Sequence, residues 1–258
     1  MIPKQITICF CTYRLDFDLL MRSLMSINQE WNHSYILEII IVLNDNNEAL
    51  DELTDIVNFF NDTDLKIRIV LGETLQSYTH YNWNTQQTFK LLVASEVQTD
   101  WYIIYDCKDL HLLNHLEKIT TDYYFTAEGK AMDVMCIGRP PGGHFFEKQY
   151  QNAYAIWGLT FDSYGQYTKV TTPFVCKTSV ILDLIEELKI KFPACFEKLF
   201  LLEMSGLPYI TEFTIISAYL EYKNLWEELY IEQSKTPKAI KRLWDRTSSN
   251  KFLRRDQG

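Results

Sequence analysis

Four short parallel-strand candidates, each closed by polar residues, constrain this chain more than anything else in it. Residues 5–11 run into Thr12-Tyr13-Arg14, and residues 36–43 into Asn44-Asp45. Residues 66–71 end at Gly72-Glu73, and residues 101–105 at Asp106-Cys107-Lys108-Asp109. Continuous apolar runs of this length mark strands buried on both faces, as in parallel sheets. In an open α/β sheet, ligands gather outside the carboxyl ends of the strands, near the switch in strand order. Four strand ends carrying charge or hydroxyls therefore predict one assembled site.

Helical spacing fills the gaps between the runs. Leu19, Leu20, Leu24 and Ile27 recur as on one helix face, and so do Leu50, Leu53, Ile56, Val57 and Phe60 over residues 49–60. Residues 85–97 read as a third helix. The resulting β-α-β-α-β-α-β order predicts an α/β fold with a mostly parallel sheet and helices on both faces. The pattern changes after residue 110. Residues 123–127 and 153–161 read as strands, and Gly138-Arg139-Pro140-Pro141-Gly142-Gly143-His144 as a loop. Helices are expected over residues 180–191, 195–204 and 211–229, making the C-terminal region helical.

With 258 residues, 47% of them hydrophobic, the chain is long enough for one large domain or two small ones. No apolar run approaches the ~20 residues of a membrane span, so none is expected. The N-terminus enters a strand directly, without a basic start or small-residue cleavage site, which predicts a cytoplasmic protein. Six cysteines show no CxxC or paired-ligand spacing. Cys9 and Cys11 share one face of a strand and read as core residues. The net charge of -9 is uneven: residues 235–258 hold eight Lys or Arg against two Asp.

A dinucleotide-binding GxGxxG, a P-loop and a GxSxG elbow are all missing. Ile6-Thr7-Ile8-Cys9-Phe10-Cys11-Thr12-Tyr13-Arg14 resembles the opening strand of GT-A glycosyltransferases, which meets the nucleotide base. Trp83-x-x-Gln86-Gln87-x-x-Lys90-Leu91, followed by residues 101–109, is similar to a bacterial and phage family of nucleotide-sugar transferases. Its members read W-x-x-Q-Q-x-x-K-L and then L-D-S-K-N-H. Thr172-Pro173-Phe174-Val175 and Thr211-Glu212-Phe213 resemble two later motifs, so the likeness spans residues 6 to about 222.

The resemblance implies a GT-A-like, Rossmann-like domain over residues 1–234, with a nucleotide-binding half (1–110), an acceptor half (111–234) and a basic tail (235–258). It implies a nucleoside diphosphate-sugar donor and a hydroxyl acceptor, either a bacterial surface glycan or a hydroxymethylated base in phage DNA. Thr12, Tyr13, Arg14 and Asp45 would hold the nucleoside; capping the next helix is the alternative for Asp45. Asp106 falls at the D-x-D position of the GT-A fold, where a divalent cation (Mn²⁺ or Mg²⁺) bridges the donor phosphates. The sequence departs from that motif: Lys108 stands third and Asp109 follows. Either Asp106 and Asp109 share an ion, or Lys108 replaces part of its charge; a plain cap on the following turn is the bland reading.

Gln86 and Lys90 lie one helical turn apart and would both face the donor, or else a solvated helix face. Glu212 is the candidate base for the acceptor hydroxyl, with a helix N-terminal charge as its rival. Thr172 and Pro173 read as a turn before a helix that shapes the acceptor pocket. His144 would tip a lid loop or be an ordinary surface histidine. His111 and His115 have metal-ligand spacing but no third ligand. The basic tail fits a nucleic-acid backbone, an anionic membrane or a solvated helix. A non-catalytic nucleotide- or glycan-binding module is the rival to an enzyme.

Overall fold

The computed structural model describes residues 1–78, 81–109, 118–138, 140, 144–193 and 210–232. The side chains of residues 133 and 144–146 are outside that description. Five strands form the main sheet: β1 (Ile6–Thr12), β2 (Ile36–Leu43), β3 (Ile67–Leu71), β4 (Trp101–Tyr105) and β7 (Phe174–Lys177). Their order is β3-β2-β1-β4-β7, with all neighbours parallel except the antiparallel β4/β7 pair. The smaller sheet has the order β6-β5-β8, from β5 (Ala131–Ile137), β6 (Gln166–Thr168) and β8 (Tyr230–Glu232).

The crossovers follow the apolar spacing. Helix α1 (Phe17–Glu30) buries Phe17, Leu20, Leu24 and Ile27, a single stripe against the sheet. Helix α2 (Leu50–Asn58) joins β2 to β3, and the short α3 (Gly72–Leu75) and α4 (Trp83–Leu92) join β3 to β4. Every residue of β1 and β4 is buried, as expected of central parallel strands. Cys9 and Cys11 are buried free thiols within them. At the β3 edge, Arg68 donates to Glu38 (3.1 Å) and Glu96 (2.8 Å), which charges an otherwise open sheet margin.

The second half corrects four expectations. Residues 153–161 are not a strand: α5 (His144–Ile156) takes the first four, and Gly158, with a φ of 72°, completes its C-terminal cap. There the Leu159 amide donates to Tyr154 O (3.0 Å) and the Gly158 amide to Ala155 O (3.1 Å). Residues 123–127 are not a strand: a 3₁₀ turn spans Thr121–Tyr123, and Phe125 makes one isolated bridge to Ala131 as the chain reverses at Gly129 (φ 87°). The helix expected over 211–229 is two, α7 (Glu212–Lys223) and α8 (Trp226–Leu229), parted by Asn224 in the left-handed conformation. Thr172 and Pro173 precede β7, not a helix; only after β7 does α6 (Thr178–Lys191) begin. The expected helix over 195–204 and the basic tail lie outside the described residues, as do His111 and His115. Among the described residues, no helix is long and apolar enough to cross a membrane.

Candidate active site

The strand order reverses between β1 and β4, and of the four predicted strand ends only that of β4 lines a cavity there, through Asp106 and Lys108. Phe10 pairs with Tyr105, so Asp106 emerges one residue later beside the end of β1. Helix α4 is anchored at the same edge. The Asn82 side chain accepts from the amides of Asn84 (2.8 Å) and Thr85 (3.2 Å), and Thr85 Oγ1 accepts from the Asn82 amide (2.9 Å). Thr85 Oγ1 also donates to Asn44 Oδ1 (2.7 Å), while Asn44 Nδ2 donates to Asn82 O (2.9 Å), tying the end of β2 to the start of α4. Trp83, Gln87 and Lys90 then share one face at helical spacing and line a cavity of about 400 Å³.

Lys90 is the centre of that cavity's charge. Its Nζ donates to Asp106 Oδ1 (3.0 Å) and Glu212 Oε1 (3.0 Å) and lies 5.5 Å from the centroid of the Phe213 ring. Lys108 pairs with the other oxygen, Asp106 Oδ2, at 3.2 Å. The two lysines differ in access: the Lys90 side chain is 5% exposed and that of Lys108 is 71% exposed. Burial disfavours the Lys90 charge, but Asp106 and Glu212 outweigh it and hold the ammonium protonated. For Asp106, burial opposes ionisation, and Lys90 with Lys108 overcomes it, so this carboxylate stays below its ordinary range. Burial raises Glu212, with Lys90 opposing.

Glu212 is held by its helix. Thr211 and Thr214 form a capping box, with the Thr214 amide donating to Thr211 Oγ1 (3.2 Å) and the Thr211 amide to Thr214 Oγ1 (2.9 Å). This fixes Glu212 as the first residue of α7, 1% exposed. Glu212 is thus a helix N-terminal charge, and its side chain also lines the cavity. Its second oxygen, Oε2, is buried without a hydrogen-bond partner.

The other predicted residues divide. Asp109 is buried, its Oδ2 accepting from the Asp106 amide (2.9 Å), with the Thr172 side chain also bonded to it. Burial, then the neighbouring Asp106 charge, pushes its carboxyl up to about 7. Pro173 is buried beside Thr172 at the start of β7. Gln86 turns away from the cavity; its Nε2 donates to Cys11 O (2.9 Å), and the adjacent Gln87 lines the cavity instead. Thr12 is buried and Tyr13 is exposed, both at the end of β1 and neither lining the cavity. There the Arg14 amide donates to Asp45 Oδ2 (2.9 Å), and the Arg14 guanidinium pairs with Glu52 (2.7 Å). Asp45 Oδ1 accepts from the Asn46 amide (2.8 Å), so its carboxylate joins the ends of β1 and β2 and does not cap α2. His144 is the first residue of α5.

The divalent cation implied by the D-x-D position does not fit these side chains as they stand. Both Asp106 oxygens carry lysine ammoniums, Glu212 Oε1 carries Lys90, and Asp109 holds a backbone amide. Among the described residues, no group of three His, Cys, Asp or Glu side chains is placed to hold a metal.

Sequence reading missed Gln149, which lines the cavity from α5 and is 2% exposed. A signal was present: Tyr150, Ala153, Tyr154 and Trp157, all buried, recur at helical spacing.

The sheet order, the crossover helices and the site at the switch point define the GT-A glycosyltransferase fold. WbbM, a bifunctional glycosyltransferase, superposes with a TM-score of 0.50 at 8% identity, covering 88% of this chain and 38% of its own. The galactosyltransferase LgtC, in complex with donor and acceptor sugar analogs, gives a TM-score of 0.44 at 11% identity, covering 83% of this chain and 70% of its own. Mouse xyloside xylosyltransferase 1 gives 0.45 at 7% identity, covering 88% and 84% respectively. The chain belongs to a family of unknown function, DUF6492, matched over residues 12–253. No curated protein matches the sequence.

Proposed function

We propose that this chain is a glycosyltransferase that moves a sugar from a nucleoside diphosphate donor to a hydroxyl acceptor. One observation carries the reading: a Lys108–Asp106–Lys90–Glu212 chain of charges lines a cavity at the switch point of a GT-A sheet. Neutral pockets suffice for apolar ligands; alternating fixed charges suit a reaction in which an anion departs and a proton moves.

The roles follow from access. Thr12, Tyr13, Arg14 and Asp45, at the ends of β1 and β2, hold the nucleoside. Lys108, largely exposed, receives the diphosphate, and Asp106 aims it. Lys90, buried between two carboxylates, fixes Asp106 and Glu212. Lysine charge takes the place that the D-x-D position assigns to Mn²⁺ or Mg²⁺, and no step here passes through a metal. Glu212 Oε2, without another partner, takes the proton of the acceptor hydroxyl. The hydroxyl oxygen attacks the anomeric carbon, and the bond to the β-phosphate oxygen breaks with its electron pair leaving on the nucleoside diphosphate. Thr172 and Pro173 border the acceptor side. The sequence resemblance and the basic tail suggest two carriers of such a hydroxyl, a glycan and a hydroxymethylated base in DNA.

The test is nucleoside diphosphate release from a panel of nucleotide sugars, with glycan and hydroxymethylated DNA supplied as acceptors. Release that falls at least a hundredfold in Asp106→Asn and Glu212→Gln, with both variants folded, supports the reading. Donor binding without release from any member would leave a binding module in place of an enzyme.

A further inference from the structure

Two buried oxygen acceptors on the wall of the cavity have no donor: Glu212 Oε2 and Gln149 Oε1. Each has almost no surface open to bulk solvent. A buried acceptor left unmatched is costly, and native chains keep few of them. Two side chains lining one cavity with the same deficit point to a ligand that donates hydrogen bonds there. The last torsion of Gln is broad, so the Gln149 oxygen turns to meet a ligand at little cost, whereas the Glu212 carboxylate is held through Oε1 by Lys90.

The same cavity has an aromatic wall. Trp83 lines it from the first turn of α4 and is 55% exposed, although the cap at Asn82 and Thr85 fixes the backbone beneath it. An indole left open beside buried hydrogen-bond acceptors is complementary to a molecule with an apolar face and a hydroxylated edge. A pyranose ring has both: its axial C–H bonds form the face, and its hydroxyls ring the edge.

We propose that the cavity is a pyranose subsite in which Gln149 accepts a hydrogen bond from a sugar hydroxyl while the ring lies against Trp83. Gln149 is thereby a specificity-determining residue. The inference deepens the glycosyltransferase reading and rests on it for the sugar's source, but the subsite itself is testable without a nucleotide. Glu212 Oε2 stands beside it for the second hydroxyl, the one whose proton is removed.

Free methyl pyranosides of the gluco, galacto and manno series, followed by saturation-transfer NMR on the full chain, probe the subsite alone. At least one is expected to bind wild type, with affinity down about tenfold or more in Gln149→Leu, which lacks the acceptor, and in Trp83→Ala. Gln149→Glu keeps an acceptor oxygen and retains binding. Deoxyfluoro analogues on wild type guard against misfolded variants, since fluorine cannot donate; replacement of one hydroxyl should cost a similar factor. A glycoside that binds wild type and Gln149→Leu equally, or no binding by any glycoside, overturns the proposal. If a glycoside binds in this manner while no nucleoside diphosphate binds, the subsite stands and the donor reading falls.

Discussion

Lys90 balances two carboxylates from a position almost closed to water, and a buried cation of this kind is hard to remove. Lys90→Met leaves Asp106 and Glu212 near each other without their shared counter-charge. The expected cost is about 3–5 kcal/mol, read from the denaturant midpoint. Asp109 gives a pH signature of its own. Its folded carboxyl titrates at about 7 against an ordinary 3.8, so the folded chain holds a proton that the unfolded chain releases. Stability from this group therefore falls as pH rises from about 4 to 7, by on the order of a few kcal/mol. Asp109→Asn should flatten that slope; an unchanged slope would contradict the buried, protonatable carboxyl.

At this scale the sequence was informative where a residue followed a strand, and on helices only where a motif marked the position. Asp106 and Lys108 were legible from strand ends, and Glu212 and Lys90 from motif resemblance. Gln86 and Gln87 could not be told apart, because adjacent helical positions differ by about 100° in direction and the sequence does not say which one meets β1. Gln149 was hidden by a wrong element, with its helix mistaken for a loop and a strand.

Two elements carry the site, and each has a weak point. Gly72, the first residue of α3, is buried where the end of β2 and α4 converge. A Cβ there would lie 2.6 Å from the Phe89 ring and 2.8 Å from the Leu43 carbonyl. Gly72→Ala is expected to destabilise by about 1–3 kcal/mol and to shift α4, lowering donor affinity as well. The cap on α7 is the second: Thr211→Ala removes one half of the capping box for about 1 kcal/mol and loosens Glu212. Turnover should fall more than the melting temperature suggests; loss in proportion to stability alone would deny the cap a role in placing Glu212. Elements of the first half were readable because buried strands and amphipathic helices alternate there. The second half mixes short strands with helices closed by Gly158 and Asn224, and strands of three or four residues such as β6, β7 and β8 give too little period to read.

On the scale of the whole molecule, the main sheet brings residues from both halves to one cavity, since β7 joins β4 and α7 carries Glu212 to Lys90 across 122 positions of sequence. That meeting could not be derived from spacing, because it depends on how the second half folds back. The basic segment 235–258 adds a separable expectation. Its removal should weaken binding to duplex DNA at low salt and leave donor affinity unchanged; DNA affinity that survives the deletion would remove the tail as a nucleic-acid contact.

The most direct measurement is calorimetric titration of the full chain with the nucleoside diphosphate it prefers, in EDTA and in Mn²⁺, for wild type and Lys108→Met. Binding in EDTA within about a factor of two of that in Mn²⁺, and about tenfold weaker in the variant, is the predicted result. Binding that needs Mn²⁺ and ignores the loss of Lys108 would contradict a site in which lysine holds the diphosphate.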